Sequence, residues 1–157
     1  KPGGFGRVKP QANDDLIDAL NEGTLIVNYM GHGKPTQWAH ENVFNMERDL
    51  GRINNPGKLP LLIAATCDFG KFDNPHDPTF TEALFRKKES GIIAALAFSR
   101  LVFSDQNAAF NSTFFSRLFP GGKPSKALGE AKLLSTGTSV NDQKFILFAD
   151  PTMHLAD

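Results

Sequence analysis

A histidine and the chain's single cysteine follow two apolar segments in a similar way. His32 stands between two glycines directly after the segment 24–30, and Cys67 closes the segment 59–67. An ordinary cysteine thiol, with a pKa of about 8.5, is mostly protonated at neutral pH, and a neighbouring imidazole shifts it towards the thiolate. A Cys–His pair can therefore supply a nucleophile and its acid–base partner, which is the chemistry of acyl transfer.

Acyl transfer also needs donors for the negative charge that develops on the attacked carbonyl oxygen. The backbone N–H groups of Gly33 and Cys67 are candidates for this oxyanion hole, because glycine lets a substrate carbonyl come close. The sequence thus predicts a catalytic dyad of Cys67 and His32, with the oxyanion donors on the same two segments.

Each of these residues also has an ordinary structural interpretation. A lone cysteine after an apolar strand is commonly a small buried hydrophobic residue. A lone histidine in a loop is commonly solvated or satisfied by one hydrogen bond. Arg100, which follows the apolar segment 91–99, would by the same reasoning be a partner in a surface ion pair. Only a fold that brings the three residues together favours the catalytic interpretation.

Hydrophobic periodicity and capping residues divide the chain into alternating elements. A loop or linker is expected over residues 1–12, and Asn13 is expected to cap the first helix. A turn is expected at 53–57. The predicted helices span 13–23, 36–50, 79–91, 105–119 and 125–135, the predicted buried strands span 24–30, 59–67 and 91–99, and a short apolar run covers 144–151.

Three continuous apolar strands separated by helices predict an α/β fold, a mostly parallel sheet with helices on its faces. In such sheets ligands bind beyond the carboxyl ends of the strands. The three strands run out into His32, Cys67 and Arg100, respectively, so we expect these residues to converge on one edge of the sheet.

Composition excludes some classes of function. Lys and Arg together number 17, as do Asp and Glu, so the net charge is near zero. A general nucleic-acid surface would show a basic excess, and we expect no nucleic-acid partner. No apolar run is long enough to predict a membrane span. The first residues read like the middle of a longer chain, so we expect a fragment of a larger protein.

Other motifs do not carry a function by themselves. The segment "HENVF" at 40–44 begins like a zinc-protease motif, but Phe44 stands where the second histidine ligand must be. The segment "FDNPHDP" at 72–78 holds two aspartates and a histidine, which favours a solvated turn over a cation site. No metal ligands are therefore predicted.

The segments "LIVNYMGHGKPTQWAHE", "KLPLLIAATCDFGKFDNP", "GIIAALAFSRLVFSDQN", "KALGEAKL" and "KFILFADPTMHLA" resemble the gingipain-type cysteine peptidases of the caspase-like clan. The resemblance covers residues 13–156 in the right order. Within the family the motifs "NYMGHG", "AHE", "ATCDFGKFD" and "SRLVFS" are most similar to the cell-surface sortase of the type IX secretion system.

The resemblance implies a three-layer caspase-like fold and a cysteine endopeptidase. The family's catalytic histidine falls on His32, its nucleophile on Cys67, and its oxyanion donors on the backbone of Gly33 and Cys67. The sortase subgroup implies a protein substrate, the C-terminal secretion signal of secreted cargo, whose new carboxyl end is joined to a surface lipopolysaccharide. It also implies an outer-membrane surface location and other type IX secretion components as partners. No cofactor is required, and a structural calcium ion would have ligands that no motif assigns.

The chain also departs from the family pattern. It matches only the second of the two catalytic subdomains, so we interpret 1–157 as that subdomain. The acidic residue that orients the family's histidine falls outside the match. Ser99, Arg100 and Trp38 are expected to contact substrate. Two alternatives stay open: a catalytically inactive scaffold or peptide-binding module of the same fold, and an unrelated α/β ligand-binding domain with Cys67 in its core.

Overall fold

The computed structural model describes residues 9–102, 104–119, 123–135 and 142–155. Within these ranges, seven strands form two sheets, flanked by five α-helices and two short 3₁₀ helices. The strands are β1 (Ile26–Met30), β2 (Gly33–Lys34), β3 (Gln37–Trp38), β4 (Phe44–Asn45), β5 (Leu61–Ala65), β6 (Ala94–Phe98) and β7 (Phe145–Phe148). The helices are α1 (Pro10–Glu22), α2 (Met46–Asp49), α3 (Phe80–Phe85), α4 (Ser104–Leu118) and α5 (Pro124–Ser135), with 3₁₀ helices at Leu50–Arg52 and Asp142–Lys144.

The main sheet has the strand order β1-β5-β6-β7. Strands β1, β5 and β6 are parallel, and β7 pairs with β6 in the antiparallel direction. The predicted parallel sheet is therefore confirmed for the three apolar segments. The short apolar run at 144–151 adds the antiparallel strand at the far edge.

Helices cover both faces of this sheet, which explains why β5 and β6 are buried at every position. Leu62 and Ala64 of β5 face the layer that contains α1 and α3. Leu61 and Ile63 face the opposite layer, where α4 contributes a phenylalanine-rich stripe. A fully buried Leu or Phe side chain contributes about 2 kcal/mol, so continuous apolar strands are what a sheet covered on both faces requires.

The helix predicted over 36–50 is wrong for most of its length. Its first half belongs to a small antiparallel sheet in which Lys34 pairs with Gln37 across a two-residue turn and Trp38 pairs with Phe44. Side chains of directly paired residues lie on the same face of a sheet, and both Trp38 and Phe44 are buried in the core. Burial of these two rings outweighs the weak local preference for a helix.

Helix α1 begins earlier than predicted, because Pro10 occupies its first turn. Residues 10–12, expected in a loop, are helical, and residues 1–8 lie outside the described part of the chain. The prediction that Asn13 caps the helix is wrong. Asn13 is buried inside it and donates hydrogen bonds from Nδ2 to the Val43 carbonyl (2.8 Å) and to Asp49 Oδ2 (3.0 Å).

The remaining helices follow the prediction more closely. Helices α4 and α5 each begin one residue before the predicted start. Helix α3 is capped by Thr79, with a capping box completed by Glu82, but it ends at Phe85, earlier than predicted. The chain then turns through Gly91, whose φ of 104° suits glycine. In the described ranges, no helix combines the length and the apolar character of a transmembrane helix.

Candidate active site

The register of the sheet brings the two predicted catalytic residues to the same level of its carboxyl edge. Met30, the last residue of β1, pairs directly with Ala65, the last residue of β5. His32 and Cys67 each follow two residues later, on strands whose backbones are about 4.8 Å apart. The structure therefore places the segments that carry His32 and Cys67 side by side, as the sequence predicts.

Gly33 and Thr66 pack closely where these two segments meet. A Cβ atom on Gly33 would overlap Thr66 Oγ1 and would lie 3.0 Å from the Gln37 carbonyl oxygen. Neither Gly31 nor Gly33 has a positive φ. Gly33 is therefore needed for the close approach of the segment after β1 to the segment after β5, and not for an unusual backbone angle.

The N–H of Gly33 points away from strand β3. The Ala39 N–H donates to the His32 carbonyl at 2.7 Å, and Gly33 is paired with Trp38 in the register. In an antiparallel ladder this combination makes Gly33–Trp38 a non-hydrogen-bonded pair, whose N–H groups point outwards from the ladder. The backbone N–H of Gly33 is thus directed to the opposite side, as an oxyanion donor requires.

The backbone N–H of Cys67 is the next donor after the end of the β1–β5 ladder. The last rung is the 3.4 Å bond from the Gly31 N–H to the Ala65 carbonyl, and the following rung would join the Cys67 N–H to Gly31. Among the described residues, no backbone acceptor is hydrogen-bonded to the Cys67 N–H. Both predicted oxyanion donors are therefore left unpaired by the sheet hydrogen bonds.

Cys67 is a partly exposed free cysteine, so it is not sealed in the core. Its Sγ lies 3.9 Å from the Val102 carbonyl oxygen, on the connection after β6. Asp68 follows with a φ of 55°, a left-handed conformation that Asp adopts more readily than most residues. This sharp turn ends the strand directly after the thiol, a backbone arrangement that leaves the side chain beyond the edge of the sheet.

His32 is exposed, and two hydrogen bonds hold its backbone. Its carbonyl accepts from the Tyr29 hydroxyl at 2.7 Å and from the Ala39 N–H at 2.7 Å. Its ring lies beside the ring of His40, with centroids 5.4 Å apart and planes inclined by 45°. Within the described ranges, no hydrogen bond reaches either ring nitrogen of His32.

Tyr29 and His40 are parts of this site that sequence reasoning missed. The Tyr29 ring stacks on Trp38, with centroids 4.3 Å apart and planes inclined by 8°. Burial is the main cause that raises the pKa of Tyr29; the Ala39 backbone lowers it and the charge of Glu41 raises it. The sequence signal for Tyr29 was its position on β1, three residues before the predicted catalytic histidine.

Two of the three expected substrate-binding residues are largely enclosed. Trp38 is only 2% exposed, with its ring against Tyr29, Phe44 and Phe69. Contact with a substrate would require the Trp38 ring to move. Ser99 is buried, and both its N–H and its Oγ donate to the Lys144 carbonyl, at 3.0 and 3.2 Å.

Arg100 is exposed, but its guanidinium is already paired. It donates to both carboxylate oxygens of Asp73, at 2.6 and 3.2 Å, and to the Ser99 carbonyl at 2.6 Å. The hydrogen bond from Arg100 is the main cause that lowers the pKa of Asp73. The ordinary interpretation of Arg100 as a surface ion-pair partner describes this geometry.

The two aspartates of the loop at 72–78 also bind neighbouring side chains. Asp73 is paired with Arg100, and Asp77 accepts from the Asn74 amide at 3.0 Å. In the part of the chain that the structure describes, no set of three His, Cys, Asp or Glu side chains is arranged to hold a metal ion.

Comparison with known proteins gives a consistent result. The profile of peptidase family C25 matches residues 2–156. Gingipain R2 and gingipain R1 of Porphyromonas gingivalis are each 34% identical to the chain over 77 residues. These segments cover 49% of the chain but only 10% and 8% of the two gingipains, so the chain spans a small part of the relatives it matches.

Two solved structures share the fold. The Arg-specific cysteine proteinase gingipain R superposes with a TM-score of 0.77 at 23% identity, covering 99% of this chain and 37% of its own. The complex of the pro- and mature domains of P. gingivalis RgpB gives a TM-score of 0.80 at 21% identity, covering 99% and 38%. The likeness confirms the predicted caspase-like α/β fold.

Proposed function

This chain belongs to peptidase family C25, a family of cysteine peptidases, and on that premise we propose that it carries the nucleophile and general base of an endopeptidase. Cys67 attacks the scissile carbonyl, and His32 takes the thiol proton and later donates a proton to the leaving amine. The N–H groups of Gly33 and Cys67 receive the oxyanion. The chain corresponds to the second of two catalytic subdomains.

One observation supports this assignment more than any other. The pairing of Met30 with Ala65 places the segments carrying His32 and Cys67 at the same height on neighbouring strands. The Gly33–Thr66 contact then draws these segments close together. The backbone donors beside both residues are left without partners in the sheet, which is the arrangement that acyl transfer uses.

The finer proposal concerns the substrate and the acceptor. By its resemblance to the type IX secretion sortase, the protein cleaves the C-terminal signal from secreted cargo at the outer-membrane surface, together with other components of that system. The Cys67 thioester is then resolved by an amine on lipopolysaccharide instead of by water. One bond forms between the cargo carbonyl and the amine nitrogen, and the thiol is released with its proton.

A non-catalytic scaffold or peptide-binding module is the second candidate. The observation that favours it is the exposed His32 ring, which has no orienting carboxylate among the described residues. In cysteine and serine enzymes the base is held by such a third group. If the orienting acid lies elsewhere in a longer protein, this observation loses its weight.

Alkylation of Cys67, the chain's single cysteine, separates the two candidates. We expect iodoacetamide to label the wild type at neutral pH at least tenfold faster than His32→Ala, because general-base assistance is worth about 10² or more. Cys67→Ser sets the background, and His76→Ala is the matched control, since His76 is also exposed but lies on another loop. Equal labelling rates in wild type and His32→Ala would leave the scaffold as the better description.

The acceptor is tested in a longer protein that contains both subdomains. A cargo C-terminal peptide is incubated with and without a primary amine, and the products are identified by mass. We expect an amide product with the amine in place of the signal. Hydrolysis alone, at every amine concentration, would restrict the function to that of a peptidase.

A further inference from the structure

Two exposed apolar side chains lie on segments that border Cys67 and have no role in the proposed acyl transfer. Leu101 is 68% exposed, the highest value for a large apolar side chain in the part of the chain that the structure describes, and Met30 is 48% exposed. Single exposed apolar residues are ordinary on protein surfaces. Two of them beside the same nucleophile indicate a binding surface for an apolar group.

Leu101 lies between two residues that contact the segment carrying the thiol. The residue before it, Arg100, accepts a 3.4 Å hydrogen bond at its carbonyl from the Asp68 N–H. The residue after it, Val102, has its carbonyl oxygen 3.9 Å from the Cys67 Sγ. The backbone of Leu101 therefore runs alongside the end of β5, while its side chain stays exposed to solvent.

The backbone that carries Leu101 is fixed by two long side chains. Lys144 donates from Nζ to the Leu101 carbonyl at 2.7 Å, and the guanidinium of Arg100 donates to both carboxylate oxygens of Asp73. A leucine on a backbone held in this way presents a preformed apolar surface. Because little ordering is needed when a ligand binds to such a surface, more of the contact energy remains for affinity.

Met30 reaches the same side of the sheet as the thiol from the neighbouring strand. Side chains alternate along β1, and Ile26 packs against the α4 layer, so Met30, four residues later, faces that layer too. Cys67 Sγ lies on this side as well, because Val102, whose carbonyl it contacts, packs against the same layer. In the register Met30 is level with Ala65, two residues before Cys67.

The cation beside this surface does not favour an acidic ligand. Arg100 precedes Leu101 in the chain, but its guanidinium is held by both carboxylate oxygens of Asp73. A charged side chain placed against Leu101 and Met30 would lose water without gaining a partner from this ion pair, which is unfavourable. An apolar side chain loses nothing of this kind and gains the burial of apolar area.

We propose that Leu101 and Met30 form an apolar subsite that selects an apolar side chain directly before the scissile bond of the peptide substrate. This inference rests on the proposed function, since Cys67 must be the residue that attacks that bond. The occupant is a side chain of the substrate because the subsite is continuous with the thiol through Val102.

Substrate-like alkylating reagents test the subsite on the 157-residue chain. The N-acetyl chloromethyl ketones of leucine, lysine and aspartate carry the same reactive carbon and differ in the side chain beside it. The Cys67 thiolate forms a carbon–sulfur bond as chloride leaves, and mass spectrometry gives the rate. Each rate is divided by that of the same reagent with glutathione. We expect the leucine reagent to exceed the other two about fivefold, since partial burial of one apolar side chain supplies this factor.

Substitutions at the two positions locate the preference. Leu101→Ala and Met30→Ala should each reduce the advantage of the leucine reagent, and Leu101→Asp should shift the preference to the lysine reagent. Leu25→Ala is the matched control, because Leu25 is 53% exposed but precedes β1 at the opposite edge of the sheet. Circular dichroism checks that each variant is folded.

Three results would overturn the proposal. One is a wild type that does not prefer the leucine reagent. Another is a preference that persists unchanged in both Leu101→Ala and Met30→Ala. The third is an equal reduction in Leu25→Ala, which would mean that general surface hydrophobicity causes the preference.

Failure of the proposed function is distinguishable from failure of the apolar subsite. At about pH 9 an ordinary thiol, with a pKa of about 8.5, is mostly thiolate without help from a base, so the preference can be measured in His32→Ala. A preference that depends on Leu101 there, with alkylation at neutral pH that is independent of His32, would support the subsite and refute the dyad. Alkylation that depends on His32, with no preference among the reagents, would do the reverse.

Discussion

The Tyr29 hydroxyl donates a 2.7 Å hydrogen bond to the carbonyl oxygen of His32. Tyr29 lies on β1, and its ring is fixed by stacking on Trp38 in the core. The proposed catalytic histidine is exposed, so its own side chain receives little support from packing. The position of its backbone therefore depends on a tyrosine that is itself anchored in the core.

Tyr29→Phe removes this hydrogen bond and keeps the ring. We expect the free energy of unfolding to fall by about 1 kcal/mol, the usual contribution of one hydrogen bond, as measured by urea denaturation. The part of Cys67 alkylation that depends on His32 should also slow. An unchanged rate in Tyr29→Phe would mean that the bond does not position the histidine.

The raised pKa of Tyr29 predicts a loss of stability in alkali. Because the pKa is higher in the folded protein than the unfolded value of about 10, the unfolded state loses its proton first. The contribution of the neutral hydroxyl is thus complete below pH 10 and is lost as the pH rises through the folded pKa. Tyr29 is the single tyrosine, so absorbance at about 295 nm reports its titration, and the stability of Tyr29→Phe should be less sensitive to alkali.

Gly33→Ala should be destabilising because its Cβ would overlap Thr66 Oγ1. We expect a cost of about 2 kcal/mol, typical of overpacking, measured by urea denaturation. The double variant Gly33→Ala with Thr66→Ala removes the obstructing atoms and should recover part of this loss. Absence of any coupling in the double-mutant cycle would show that another contact, such as the Gln37 carbonyl, determines the need for glycine.

The Arg100–Asp73 ion pair predicts a loss of stability in acid, whereas Tyr29 predicts a loss in alkali. Arg100 lowers the pKa of Asp73, so the pair stabilises the fold above the unfolded Asp pKa of about 3.9 and loses this effect as the pH falls through the lower folded pKa. The stability difference between wild type and Asp73→Asn should therefore narrow in acid. Asp18→Asn, at an exposed position on α1, is the control for removing a surface carboxylate.

Substitutions in the same ion pair test whether Arg100 contacts substrate. If Arg100 binds substrate, Arg100→Ala should raise KM, whereas Asp73→Ala frees the guanidinium and should not. If the pair only holds the two loops together, both variants should have the same effect on KM. This comparison uses a protein that supplies both of the proposed catalytic subdomains.

Of the substitutions proposed here, replacement of Asp49 is expected to lower the free energy of unfolding most. It is fully buried and accepts from the Asn13 amide, the Asn45 N–H and the guanidinium of Arg48. Asp49→Ala leaves these donors without their acceptor, and we expect a loss of about 3 kcal/mol by urea denaturation. Asp18→Ala, at an exposed position, should change the stability by less than about 0.5 kcal/mol. Similar values for both variants would contradict the structural role of Asp49.

The sheet and the pairing of the segments that carry His32 and Cys67 could be predicted from the sequence. Strands β5 and β6 are buried on both faces, so their sequences are apolar without interruption and are easily recognised. Parallel strands joined through helices have their carboxyl ends on one edge. This rule alone predicts that the segments carrying His32 and Cys67 meet at one edge.

The small sheet and the parts of the site around it could not be predicted. Strands β2, β3 and β4 have two residues each, too few to show an alternating pattern. Asn13 resembles a helix cap because its partner Asp49, 36 positions away, is invisible to local patterns. The approach of His40 to His32 likewise depends on the turn at Ala39, where an alanine gives no sign of a left-handed conformation.

The strand order has a consequence for the stability of the proposed site on warming. Within the described residues β1 has one neighbour in the main sheet, while β5 lies between two. Edge strands exchange their amide hydrogens through local opening at a lower free energy than central strands do. On warming, β1 would fray while β5 stays folded, which would separate His32 from Cys67. The proposed dyad would then come apart at a temperature where the core is still intact.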